Sequence, residues 1–184
     1  MEQVGTAKAF FDVFPTLKAE ESIRRLFSDV EVRKITTNSA RDFLHIYILS
    51  RHLLPKKQIW QMERRIKEQL FGTSPVSIRL EEEYALSDQY TPEALMAEYR
   101  DSIIQELKGS SVLAANMFEQ AEIRFEDGNI CCLELVDTIV SEGRREQIVN
   151  LLDDIFNRRC KIKTDIRVTY REKKESKTRE FDEQ

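Results

Sequence analysis

The stretch VEVRKITTNSARDFLHIYILSRHLLPKKQIWQMERRIKEQLF, residues 30–71, decides the fold. It runs as an extended segment, a polar turn (Thr37, Asn38, Ser39), a longer extended segment, and then Pro55 at the head of a helical period. In the longer segment Leu44, Ile46 and Ile48 fall on one side of a period-2 strand, and Phe43, His45, Tyr47 and Leu49 on the other. A strand apolar on both sides belongs in the middle of a sheet. The helix after it carries Ile59, Met62, Ile66 and Leu70 at spacings of three and four, one apolar stripe among Lys, Arg, Gln and Glu. Such a stripe needs a surface to lie on, and the hairpin before it supplies one.

Upstream, residues 6–14 place Ala7, Phe10, Phe11 and Phe14 on a helix-like stripe that Pro15 interrupts. A second short helix is predicted over 16–27, with Ile23, Leu26 and Phe27 on one side. Downstream, Gly72 is the predicted helix cap, and Val76, Ile78 and Leu80 alternate with polar residues as a half-buried strand. The first half therefore reads α-α-β-β-α-β. Residues 81–90, EEEYALSDQY, are polar and without sustained periodicity, and the boundary between two modules, 1–82 and 83–171, is placed there.

Thr91 can accept from the orphan amides of the next helix, Pro92 suits its first turn, and Glu93 favours the positive end of the dipole. Leu95, Tyr99, Ile103 and Leu107 form its stripe, and Gly109 can end it. Ser110 or Ser111 then caps a shorter helix through Val112, Leu113, Ala115, Met117 and Phe118. Strands over 122–126 and 129–136 are joined by Asp127 and Gly128, a pair that takes the positive φ values of a tight hairpin. Ser141 begins a helix with Ile148, Leu151, Leu152, Ile155 and Phe156 at i, i+3, i+4, i+7, i+8, and 161–171 alternates as a last strand. The order α-α-β-β-α-β recurs. The expectation is an α+β chain of two modules, each a three-stranded sheet with helices on one face in a KH-like arrangement, followed by a charged tail, 172–184. Helices on one side leave the other sheet face free to meet a partner.

Of the 184 residues, 41% are hydrophobic and 34% charged, a balance that suits two small domains better than one tight globule. A net charge of -4 argues against a wholesale nucleic-acid-binding face while leaving local basic patches. No apolar run reaches the roughly 18 residues of a membrane span, and no signal peptide opens the chain, so the expected setting is cytoplasmic and away from membranes. The three cysteines include the neighbours Cys131 and Cys132, which point to opposite faces of a strand. Without CxxC or Cys/His spacing they read as small core residues rather than as metal or redox groups.

The run KITTNSARDFLHIYILSRHLLP and the basic amphipathic helix after it resemble the extreme N-terminal region of the PolC family, the Gram-positive-type replicative DNA polymerase III α subunit. TPEALMAEYRDSIIQELKG, the region around EIRFEDGNICCLEL, and the last helix and strand before the tail resemble that family's second N-terminal region. The resemblance runs by elements in order rather than by a short signature. It implies a non-catalytic fragment of a DNA-directed DNA polymerase, a nucleotidyltransferase with a 3′-5′ exonuclease that acts in DNA replication. The Mg²⁺ and its carboxylates would then lie downstream of this chain. It further implies a protein-protein interaction module within the replisome, with the clamp-loader τ subunit as partner, and a tail that opens a connector to a further domain.

The residues themselves nominate no catalytic, cofactor-binding or metal residue. His45 reads as a sheet residue and His52 as a solvated strand end, since neither has a Cys, Ser or second His at a motif spacing. Glu81, Glu82 and Glu83, like Asp153 and Asp154, read as solvated faces without the spacing of a two-metal site. P-loop, GxSxG and HExxH patterns are missing. Lys56, Lys57, Arg64, Arg65 and Lys67 decorate one helix and Arg144, Arg145, Arg158 and Arg159 another, both read as wet sides of amphipathic helices. Trp60, partly off its stripe, is either an exposed anchor or a rim residue of the core. The candidate interaction surface is Trp60, Arg64, Arg65, Arg144 and Arg145. The alternative is a KH-like single-stranded nucleic-acid binder, although the glycine turns at Gly109 and Gly143 lack the GxxG of that class.

Overall fold

A computed structural model describes residues 6–138 and 141–172. It is an α+β structure with a four-stranded and a three-stranded sheet. The first half comprises β1 (Lys8–Ala9), α1 (Phe10–Val13), α2 (Glu21–Leu26), β2 (Glu31–Thr37), β3 (Phe43–Ser50), α3 (Lys56–Ile66) and β4 (Ser77–Tyr84). The second comprises α4 (Pro92–Ser110), α5 (Val112–Gln120), β5 (Glu122–Glu126), β6 (Ile130–Val136), α6 (Ser141–Asp153) and β7 (Asp165–Arg171). In both halves a hairpin is followed by a crossover helix that returns the chain to a parallel partner, β4 beside β3 and β7 beside β6.

Local chemistry fixes the elements where the sequence announces it. The β2–β3 turn is organised by Asn38, whose Oδ1 accepts from the Asp42 and Phe43 amides at 3.1 Å each. In the β5–β6 hairpin Asp127 and Gly128 take φ values of 51° and 78°, the left-handed pair of a tight turn. Thr91 Oγ1 accepts from the Ala94 amide at 3.1 Å ahead of Pro92, and Ser111, rather than Ser110, caps α5 through the Ala114 amide at 3.2 Å. Gly72, at φ 52°, closes a π-helical turn, Lys67–Phe71, that continues α3 and swings Leu70 off the buried stripe to 39% exposure.

Several expectations are corrected. Residues 6–14 are not one helix: Lys8 and Ala9 pair with Val32 and Glu31, making the first sheet four-stranded, and only Phe10–Val13 is helical. A two-residue strand leaves no periodicity to read. The helix expected over 16–27 shrinks to Glu21–Leu26, and the last strand begins at Asp165 because Lys161, at φ 54°, turns the chain first. β4 runs four residues beyond Leu80, so Glu81 to Tyr84 are strand, with Glu82 and Tyr84 on the buried side. Val112 and Leu113 of α5 lie outside the core, 60% and 47% exposed.

The core is continuous across both halves. Ile46, Ile48 and Leu80 of the first sheet are buried with Ile59, Met62 and Ile66 of α3 and with Phe10 and Phe27, whose rings stand 5.1 Å apart. Cys131, Leu133 and Leu135 of β6 are buried with Ala115, Phe118, Ile148, Leu152 and Phe156. Each fully buried aliphatic contributes about 1.5–3 kcal/mol relative to exposure, so Ile46→Ala or Leu133→Ala would cost about 2–5 kcal/mol.

Candidate functional site

The helices cover one side of the first sheet and leave the other open. On β3 the helix-side residues Ile46, Ile48 and Ser50 are buried, whereas Phe43, His45, Tyr47 and Leu49 are half-buried. The rings form a row: Phe43 and His45 centroids are 4.4 Å apart, and His45 and Tyr47 stack at 6.2 Å with 23° between planes. Strand pairing frames the row, with Lys34 opposite Tyr47 on one flank and Arg79 opposite His45 on the other. Lys34 Nζ lies 4.6 Å from the Tyr47 ring centroid, a cation–π contact. Glu81 Oε1 is tied to His45 Nδ1 at 3.2 Å and to Arg79 Nε at 3.6 Å. The open face of the second sheet differs, with Ile130, Cys132, Glu134 and Val136 of β6 flanked by Arg124 and Arg167 opposite Cys132.

Where the halves meet, charges are buried rather than exposed. Lys56 Nζ donates to Glu82 Oε1 at 2.8 Å, and Arg159 Nη1 donates to the same oxygen at 2.9 Å. Arg159 also clasps Glu106 through Nη1 at 3.0 Å and Nη2 at 2.6 Å, and its Nε reaches Asp154 Oδ2 at 2.7 Å. With Arg158, which pairs with Asp154, three cations face three carboxylates. Burial works against the Arg159 charge, but Glu106, Glu82 and Asp154 outweigh it and hold the guanidinium pKa above its ordinary value. Burial likewise raises Asp154, yet the hydrogen bonds from Arg158 and Arg159 prevail and hold its carboxyl below the usual range. Every charge is engaged within the cluster, so it fastens the halves and offers no free group for chemistry. Two further contacts cross the seam. Ser102 Oγ of α4 accepts from the Lys56 amide at 3.1 Å, and Tyr84 and Tyr99 bring their hydroxyls to 3.4 Å, burial pushing both phenols up.

These positions correct the reading of the charged runs as wet faces. Lys56, Glu82 and Arg159 are 7%, 4% and 7% exposed. The partners lie far apart in sequence, and only the alternation Ile78, Leu80, Glu82, Tyr84, carried two steps further, signals that Glu82 points inward. Arg64 and Arg145 are exposed on α3 and α6, Arg65 is half-buried and paired with Glu20 at 3.0 Å, and Arg144 is half-buried. Trp60 is half-buried, its ring against Gly109, where an added Cβ would stand 3.9 Å away. His52 is not a free strand end: its Nε2 lies 2.9 Å from the Leu26 carbonyl oxygen. Cys131 and Cys160 are buried, their thiols pushed up to about 12 by desolvation, and Cys132 is half-buried on the opposite side of β6. Among the described residues no group of His, Cys, Asp and Glu could hold a metal ion, and no helix is long and apolar enough to cross a membrane.

Fold and faces together define an α+β chain whose sheets each carry helices on one side and an open face on the other. Residues 9–80, fewer than half of the chain, match the family model described as DNA polymerase III polC-type N-terminus I, and the similarity supports an N-terminal region of a PolC-type polymerase there. No curated protein matches the sequence. Among solved structures, one of CdsD, a structural protein of the type III secretion system of Chlamydia trachomatis, is similar at 11% identity and a TM-score of 0.30. The similarity covers 91% of this chain and 64% of that one, and at this score it carries no weight for fold or function.

Proposed function

We propose that the chain is a non-catalytic protein-docking region of a replicative DNA polymerase in the cytoplasm. The whole protein would be a PolC-type polymerase III α subunit with DNA-directed polymerase and 3′-5′ exonuclease activities, its Mg²⁺-binding carboxylates outside this chain. The partner is a replisome protein, the clamp-loader τ subunit. The family match over residues 9–80 carries this reading. The docking surface is the stretch of α3 where half-buried Trp60 stands one turn before exposed Arg64, with Arg65 beside it, and Arg144 and Arg145 of α6 are a second basic group. A half-buried tryptophan beside arginines has the composition of an interface anchor.

The test is retention of the 184-residue chain on immobilised τ. Wild type is expected to be retained, and Trp60→Ala combined with Arg64→Glu to weaken retention at least about tenfold, with an unchanged circular dichroism spectrum. Arg144→Glu with Arg145→Glu weakens it less. If wild type passes through unretained, docking on τ is withdrawn.

A second role, contact with single-stranded nucleic acid, has support from a separate observation, the ring row on β3.

A further inference from the structure

The geometry points to the open face of the first sheet as a stacking platform for the bases of single-stranded nucleic acid, with Phe43, His45 and Tyr47 as the platform and Lys34 and Arg79 as its phosphate-facing rim. It rests on the second role above and assigns it a site.

An open sheet face ordinarily alternates to polar side chains, because nothing compensates the exposure of large apolar groups. β3 departs from that rule at consecutive outward positions, where Phe43, His45, Tyr47 and Leu49 all stay half-buried and uncovered by the helices. Aromatic side chains on the open face of a small sheet accept bases because every base has a π-face, and the contact is tolerant of sequence. The place of the rings selects the form of the ligand. They stack along a strand that lies between two others, and only a base turned out of its own pair and stack can reach a ring there, which a single strand permits and a duplex does not.

Charge favours a nucleic acid over an acid-poor apolar peptide. Lys34, above the Tyr47 ring, and its neighbour Arg33, displaced by a bulge between Val32 and Lys34, are exposed along one flank, and Arg79 is exposed along the other. The first flank also carries Glu31, opposite Leu49 at the far end of the row, while on the second flank Glu81 is shared by His45 and Arg79 and Glu83 lies 3.8 Å from Lys161, so among the described residues the cations nearest the rings that no carboxylate holds are Lys34 and Arg33. The platform also lies apart from any GxxG loop, so it is a route to single strands that does not use the KH groove.

The experiment is fluorescence anisotropy of the 184-residue chain with a labelled oligothymidylate of about 15 nucleotides at about 50 mM salt. Oligouridylate and a blunt duplex serve as the other arms. Expected are micromolar binding to the single strands, weaker binding to the duplex, and a DNA-to-RNA ratio that reports which single strand is taken. Tyr47→Leu and Phe43→Leu, which keep apolar bulk without a stacking ring, each weaken binding by about 5- to 100-fold. Lys34→Gln lowers the slope of log K against log salt by about 0.7, one single-strand phosphate contact. Binding by wild type that both leucine variants retain in full would overturn the site while leaving the second role standing on another surface. No binding by wild type overturns both, and duplex binding equal to single-strand binding overturns the platform.

Discussion

The seam between the halves and the open face of the first sheet treat polarity in opposite ways. At the seam, Lys56, Glu82 and Arg159 are buried, while on the open face Phe43, His45 and Tyr47 remain in reach of solvent. The difference teaches that available partners decide where a side chain sits. Glu82 can be dry because Lys56 and Arg159 both reach it, and the rings can stay wet because no helix crosses that side of the sheet. A buried ion pair adds little net stability against a well-packed apolar replacement, but removing one partner strands the others. The seam should therefore register in stability, and the open face in binding.

The comparison breaks first at Arg159. Arg159→Ala leaves Glu82, Glu106 and Asp154 without their common partner and should cost about 3–5 kcal/mol, read as a lower urea midpoint. An unchanged midpoint would show the seam to be idle. Oligonucleotide affinity, measured where the variant is folded, should stay at the wild-type value. Ser102→Ala comes next. It removes the side-chain cap that α4 lends to the start of α3 and leaves the Lys56 amide unpaired, for a loss of about 0.5–2 kcal/mol.

A smaller effect lies in the acid limb of the stability curve. Asp154 is held below its ordinary pKa, so folding favours its ionised form. That contribution is fully present above the unfolded pKa and is lost as pH falls through the folded one. Asp154→Asn should lower the melting temperature at neutral pH, with the deficit closing as pH is brought down. A deficit constant with pH would refute this assignment. The smallest expected change sharpens the contrast from the other side: Tyr47→Leu should shift stability by no more than about 1 kcal/mol, the range of a cross-strand aromatic contact. A larger loss would make the ring row a structural element.

Most of the architecture could be read from local pattern. The period-2 run of β3 and the stripe Ile59, Met62, Ile66 gave a central strand and its crossover helix, and Thr91, Ser111 and Asp127 with Gly128 announced their own geometry. The same alternation placed Phe43, His45 and Tyr47 together on one side of β3, but a run apolar on both sides did not tell which side the helices leave open. The seam was not. Arg159 meets Glu82 and Glu106 across 77 and 53 residues of chain, and nothing beside Arg158 distinguishes it from a solvated arginine. Glu82 breaks the apolar alternation where β4 continues, and Tyr84 restores it. β1, with two residues, is defined by its partner strand alone.

The family correspondence ends at residue 80, midway along β4. A fragment cut at that point would keep Lys56 but discard Glu82, Tyr84 and the serine that holds the first turn of α3. Its crossover helix would start on a lysine with no counter-ion, above a parallel strand trimmed to half its length. Whoever expresses this region on its own should carry it through at least Arg159, because the first half borrows its finishing pieces from the second.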